Sequence, residues 1–98
     1  MSNIKRIILD VLKPHQPRID VLAYAVAELP GVGSVNITRT ETDSSTEGII
    51  VTIVGDNLVY KEIEDVLRDY GSSIHSVDEV VVGEQIIDAV TIPVEEDR

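Results

Sequence analysis

Apolar positions along this chain recur with two different periods. In Ile4–Lys13, Ile7, Leu9 and Val11 fall on one face of an extended segment and Ile8 and Leu12, with Arg6 and Asp10, on the other. A period of two marks a strand, and two largely apolar faces mark a central one. The segment KPHQPR ends it, because its two prolines lack backbone donors, and Pro17 suits the first turn of a helix. From Pro17 to Leu29 the period changes: Ile19, Leu22, Ala23, Val26 and Leu29 recur at helical spacing, and PGVG closes the helix.

The pattern then returns to alternation. Val35 and Ile37 alternate with Asn36 and Thr38 in a second strand that fades into the polar TETDSSTEG. Glu47–Val54, β-branched nearly throughout, predicts a third strand. Asp56 or Asn57 can cap a second helix with the stripe Ile63, Val66, Leu67 and Tyr70, stopped by Gly71. The segment SSIHSVDEVVVG, Ser72–Gly83, reads as the fourth strand, and a short edge strand is expected around Ala89–Val94 before an acidic end.

Strand, helix, strand, strand, helix, strand predicts an α+β, ferredoxin-like βαββαβ sandwich. Its four-stranded antiparallel sheet would have the first and third strands at the centre and both helices on one face. Residues 1–88 would form that domain and 89–98 a C-terminal extension.

Composition narrows the chemistry. Eighteen acidic residues against eight basic give a formal charge of -10, a surface that repels nucleic-acid phosphates and anionic lipid. No cysteine means no disulfide, thiolate metal site or cysteine nucleophile. No signal peptide or membrane-length apolar run is read, so the expected setting is cytoplasmic, without nucleic-acid or membrane partners.

The fourth strand combines the valines of a buried strand with His75, Asp78 and Glu79. Antiparallel to the first strand, it would place Ser73, His75 and Val77 beside Asp10, Leu12 and the KPH loop, with His75 and Asp10 neighbours on the helix-free face. Asn36, Thr38 and Thr52 fall on that face too. Three readings fit it. An apolar open face packs against another copy of the chain. Asp10, His15 and His75, with Asp78 or Glu79, hold a divalent metal, mixed imidazole and carboxylate ligands suiting zinc, manganese or nickel. Or His75 is a general base, for which no nucleophile partner is in view. The spacing H-S-V-D-E matches none of the usual zinc motifs.

Families sharing the fold are separable by residues. Metal chaperones carry CxxC where this chain has KPHQPR, and RNA-recognition modules need sheet aromatics, whereas Tyr24, Tyr60 and Tyr70 fall in or beside helices. The segments IILDVLKPHQPRI, LPGVGSVNIT and GSSIHSVDEVVVGEQI together resemble the archaeal family catalogued as domain of unknown function 211, over Ile4 to Ile87. The resemblance implies a ferredoxin-like fold and self-assembly into oligomers, and brings no established activity. Its motifs fall on Asp10, Lys13, Pro14, His15, Asn36, His75, Asp78 and Glu79, of which Lys13 and Asn36 are expected at a small-ligand site. In one departure, Val59 stands where the family often has an acidic cap before Glu62, so the second helix is expected to begin earlier, at Asn57. The leading expectation is a self-assembling module with a metal or small-ligand site. The alternative is a metal-dependent enzyme using the Asp/His cluster.

Overall fold

Ile7, Leu9 and Val11 are at most 1% exposed, and everything else in the molecule is arranged around the face they share. They belong to β1 (Ile4–Pro14), which is hydrogen-bonded on both sides in a computed structural model describing residues 3–90. The remaining elements are α1 (Ile19–Ala27), β2 (Val32–Thr42), β3 (Thr46–Gly55), α2 (Tyr60–Asp69) and β4 (Ser73–Val82), with sheet order β2-β3-β1-β4 and every pairing antiparallel. The βαββαβ sandwich expected from the sequence is the one formed.

One face of the sheet carries the core. Ile49, Val51 and Ile53 of β3 lie opposite Val11, Leu9 and Ile7, and Leu22 and Val26 of α1 and Ile63 and Leu67 of α2 close over them. Burying each such side chain contributes roughly 1.5–3 kcal/mol. The opposite face carries Ile8, Asp10, Leu12, Ile50, Thr52, Val54, Asn36 and Thr38.

Several boundaries differ from the pattern-based expectation, each for a local reason. Helix α1 begins at Ile19, two residues after Pro17, because Arg18 at the N-cap still has extended backbone (ψ 158°). It ends before Leu29, since a residue preceding proline disfavours helical backbone. Strand β2 is longer than its apolar residues suggest: it pairs with β3 from Val32 to Thr42, and the ladder overrides polar composition. Neither Asp56 nor Asn57 caps α2. The Asp56 carboxylate accepts from Lys5 and Asn3, Asn57 has φ 53°, and the helix starts at Tyr60 with Val59 at the N-cap and no side-chain cap. Gly71 does stop α2, at φ 84°.

The fourth strand departs most from alternation. Val11, Leu9 and Ile7, two apart in β1, face Ile74, Val77 and Val80, three apart in β4. The sheet absorbs the difference with two bulges, leaving His75 and Asp78 without a Cα partner. Val77 therefore lies on the helix side, not beside His75 on the open face as strict alternation required. Beyond Gly83 the chain through Val90 forms no strand, and Asp88 returns to Arg6, 2.8 Å from its guanidinium. Of the edge strand expected at Ala89–Val94, the part beyond Val90 lies outside the described residues. No helix among the described residues is long and apolar enough to cross a membrane.

Candidate functional site

The core stripes of β1 and β3 end in opposite charges. Lys13 follows Ile7, Leu9 and Val11 at the same period of two, Glu47 precedes Ile49, and the two are Cα partners. Lys13 is fully buried and Glu47 6% exposed. A buried ammonium needs acceptors on every side. Lys13 Nζ donates to the carbonyls of Pro14 (2.9 Å) and His15 (3.3 Å) and lies 3.5 Å from Glu47 Oε1. The KPH loop is thus folded round the lysine that precedes it.

His15 completes the group. Its Nδ1 is 3.2 Å from Glu47 Oε2 and its Nε2 3.0 Å from the Asp43 carbonyl. A carbonyl and a carboxylate only accept, so the tautomer decides which of the two the ring N–H donates to. Burial by itself would raise the Glu47 pKa, but the His15 hydrogen bond and the charges of Lys13 and Arg39 hold it below the ordinary glutamate value. The Asp43 carboxylate is likewise held low, by the Thr46 and Ser45 N–H groups it caps. Arg39 from β2 and Arg18, Ile19 and Asp20 from the start of α1 close a cavity of about 350 Å³ over His15 and Glu47.

The open face places the other candidates. Asp10 and His75 do line one cavity, of about 260 Å³, with Leu12, Glu41 and Gly48. His15 is held by Glu47 and Asp43, away from that pair. Glu79 accepts from Arg6 Nε at 2.7 Å, and Asp78 accepts from the Ser76 hydroxyl at 2.7 Å. Asn36 lies opposite Thr52 and accepts from the Thr38 hydroxyl at 2.8 Å. Asp10, His15, His75, Asp78 and Glu79 are therefore not brought together as one set. Among the described residues no group of three or more His, Cys, Asp or Glu side chains is disposed to hold a metal ion.

A third region borders the free edge of β4. Tyr60, Glu64 and Arg68 of α2 face Ser72, Ile74, Val77 and their neighbours across a groove of about 490 Å³. Ser72 is 4% exposed and its hydroxyl has no partner among the described residues. Val77, Val80 and Val82 are 46%, 48% and 49% exposed. All three pair with core-side residues of β1, Leu9, Ile7 and Ile4, so they project on the helix side of the sheet, beyond the cover of α2.

Glu47 and Arg39 were not singled out by the sequence pattern, although the signal for Glu47 was present. Lys13 and Glu47 stand at core-stripe positions of two central strands, and a charge there implies an opposite charge opposite it. Arg39 gave no such signal, because its place depends on how far β2 runs.

Fold and side-chain geometry together define a small ferredoxin-like domain with a buried ion pair at one end of its core and an apolar free strand edge. The sequence model of domain of unknown function 211, described as uncharacterised ArCR, matches residues 5–96. An uncharacterised protein of Methanocaldococcus jannaschii, MJ0319, is 46% identical over 93 residues, covering 95% of this chain and 96% of that one. The chain belongs to this archaeal family.

Proposed function

We propose that the chain is a self-associating module that joins copies of itself at the free edge of β4, and that its work is assembly and binding, with no catalytic step. The observation that carries this reading is the row Val77, Val80 and Val82, each nearly half exposed on a strand that among the described residues is hydrogen-bonded on one side only. An unpaired edge offers backbone donors and acceptors to another strand, and natural sheets usually blunt it with charge or proline. Asp78, Glu79 and two bulges lie along this edge as well, so the surface offered to a second copy is the apolar row Val77, Val80 and Val82 on its helix side more than a flat backbone ladder. A cytoplasmic setting belongs to the same proposal, and the formal charge of -10 supports its being free of nucleic acid and anionic membrane.

Light scattering after size-exclusion chromatography of untagged protein, with elemental analysis and with or without chelator, tests it. The expected result is an oligomer of chelator-independent mass that Val77→Lys and Val80→Lys shift toward monomer. Lysine lowers the net negative charge, so dissociation by it isolates the lost apolar contact from self-repulsion. A monomer at micromolar concentration overturns the reading. A metal-bearing oligomer that dissociates in chelator replaces it with the second reading, a metal site or metal-dependent enzyme. That reading retains one supporting observation, the cavity that Asp10 and His75 line together, while no third ligand among the described residues completes a metal site there.

A further inference from the structure

Two of the arginines of this acidic chain line a single cavity, the one between the start of α1, β2 and β3. Their situations differ. Arg18 is doubly hydrogen-bonded to Asp20, through Nε at 3.0 Å and Nη2 at 2.9 Å, so its planar fork is already matched. Arg39 makes no ion pair among the described residues. Glu47, the carboxylate on which the Arg39 charge acts, is engaged by Lys13 and His15 beneath the cavity.

Around this cavity the cations Lys13, Arg18 and Arg39 stand against the carboxylates of Asp20 and Glu47. Adding the Asp43 carboxylate, which caps Ser45 and Thr46, brings the group into balance, with as many cations as carboxylates. The whole chain has a formal charge of -10. The other cavities show nothing comparable: the Asp10–His75 cavity and its neighbour on β2–β3 carry Asp10, Glu41 and Asp43, and the β4 groove pairs Glu64 with Arg68. In a chain this acidic, a charge-balanced concavity holding an arginine without an ion pair repels a small anion least among the described cavities. A guanidinium with its fork unmatched is the side chain best shaped to hold a carboxylate or a phosphate by two parallel hydrogen bonds.

We propose that this cavity binds a small oxyanion, with Arg39 as its anchor and the Lys13–Glu47–His15 group as the fixed floor that keeps the anchor's nearest carboxylate occupied. At about 350 Å³ the cavity suits a small metabolite better than a polymer. Carboxylate and phosphate share the required chemistry, and the experiment separates them.

The test is a titration of ¹⁵N-labelled full-length protein with sodium phosphate and, separately, sodium succinate, at constant pH and ionic strength, with sodium chloride as the control. Saturable shifts are expected at the amides of Arg18, Ile19 and Arg39 with at least one of the two probes, and which probe saturates identifies the anion class. Arg39→Gln is expected to weaken binding about tenfold or more, since it removes a charge-assisted pair of hydrogen bonds. Arg39→Lys, which keeps the charge and loses the fork, falls between. Arg39 is exposed, so neither variant disturbs the core. Shifts that rise linearly without saturation, shifts equalled by chloride, or equal affinity in Arg39→Gln each overturn the proposal.

Discussion

Replacing Lys13 by methionine removes the one lysine ammonium that is wholly buried and leaves Glu47, 6% exposed, with the His15 ring as its remaining side-chain hydrogen-bond partner. Breaking a buried pair from one side costs about 3–5 kcal/mol, because the surviving charge is desolvated without full compensation. Methionine retains most of the aliphatic stem and fills the same space, so little of the loss comes from packing. In a domain of this size 1 kcal/mol corresponds to about 4–8 °C in Tm, so Lys13→Met is expected to lower Tm by about 12 °C or more. Glu47→Gln should cost less, about 1–2 kcal/mol, since Lys13 keeps the Pro14 and His15 carbonyls and glutamine still accepts from His15. The double variant is decisive. With both charges gone the carboxylate is no longer stranded, and the double variant should be at least as stable as Lys13→Met alone, a coupling of about 1–3 kcal/mol. Urea and thermal unfolding at matched protein concentration measure the cycle. If the two losses simply add, or if Lys13→Met costs under about 1 kcal/mol, the buried pair is not the energetic unit inferred from its geometry.

Three further outcomes follow from the same fold. Because the Glu47 pKa is depressed in the folded chain, its ionised form stabilises fully above the ordinary value of 4.5, and that stability is lost as pH falls through the folded value. Wild-type and Glu47→Gln Tm curves should therefore converge as pH falls below 4.5 and through the depressed folded value, and parallel curves would contradict the assignment. Deleting His75, which pairs with no β1 residue, should remove one bulge and keep every other side chain on its present face, at a cost below about 2 kcal/mol by urea unfolding. A loss as large as a whole-strand register slip would show that His75 is not the inserted residue. Gly55→Ala should cost about 3 kcal/mol or more, because a Cβ there overlaps the Gly31 carbonyl and crowds the Gly33 backbone, and a Tm within about 5 °C of wild type would refute that contact.

What the sequence made legible was whatever obeys one period from end to end. The alternation of Ile7, Leu9 and Val11 and the helical stripe Leu22 to Val26 identify both layers of the sandwich, because burial on one face enforces a single repeat. The fourth strand broke that rule. Ile74, Val77 and Val80 recur every third residue, a spacing neither a strand nor a helix gives, and two bulges reconcile it with the period of β1. The mixture of His75, Asp78 and Glu79 among valines follows from this. His75 and Asp78 are the inserted residues, freed from the pleat, and Glu79 meets Arg6. Read as a cluster by proximity in sequence, they belong to separate contacts in space. The buried pair was half legible: Lys13 was marked by the resemblance, while Glu47 required the β1–β3 register, which pairs residues 34 apart.

The two proposed sites lie on different strands at opposite sides of the sheet. Arg39 is on β2, one edge, and Val77, Val80 and Val82 are on β4, the other, with β3 and β1 between them. Loss of one is therefore not expected to remove the other within a single copy. The floor of the oxyanion cavity, however, is fixed to β1 and β3, the two strands that every copy must form before either edge exists. A chain of charge -10 that gathers copies through an apolar edge raises the local negative potential with each addition. The cavity over Glu47 is the described cavity that sets two arginines, Arg18 and Arg39, against that trend, balanced by Asp20 and Glu47. The proposed assembly and the proposed anion site thus rest on separate residues, yet electrostatics joins the two proposals: in an oligomer each added subunit would weaken the attraction of a cavity for an anion at low salt, and added salt would screen that penalty.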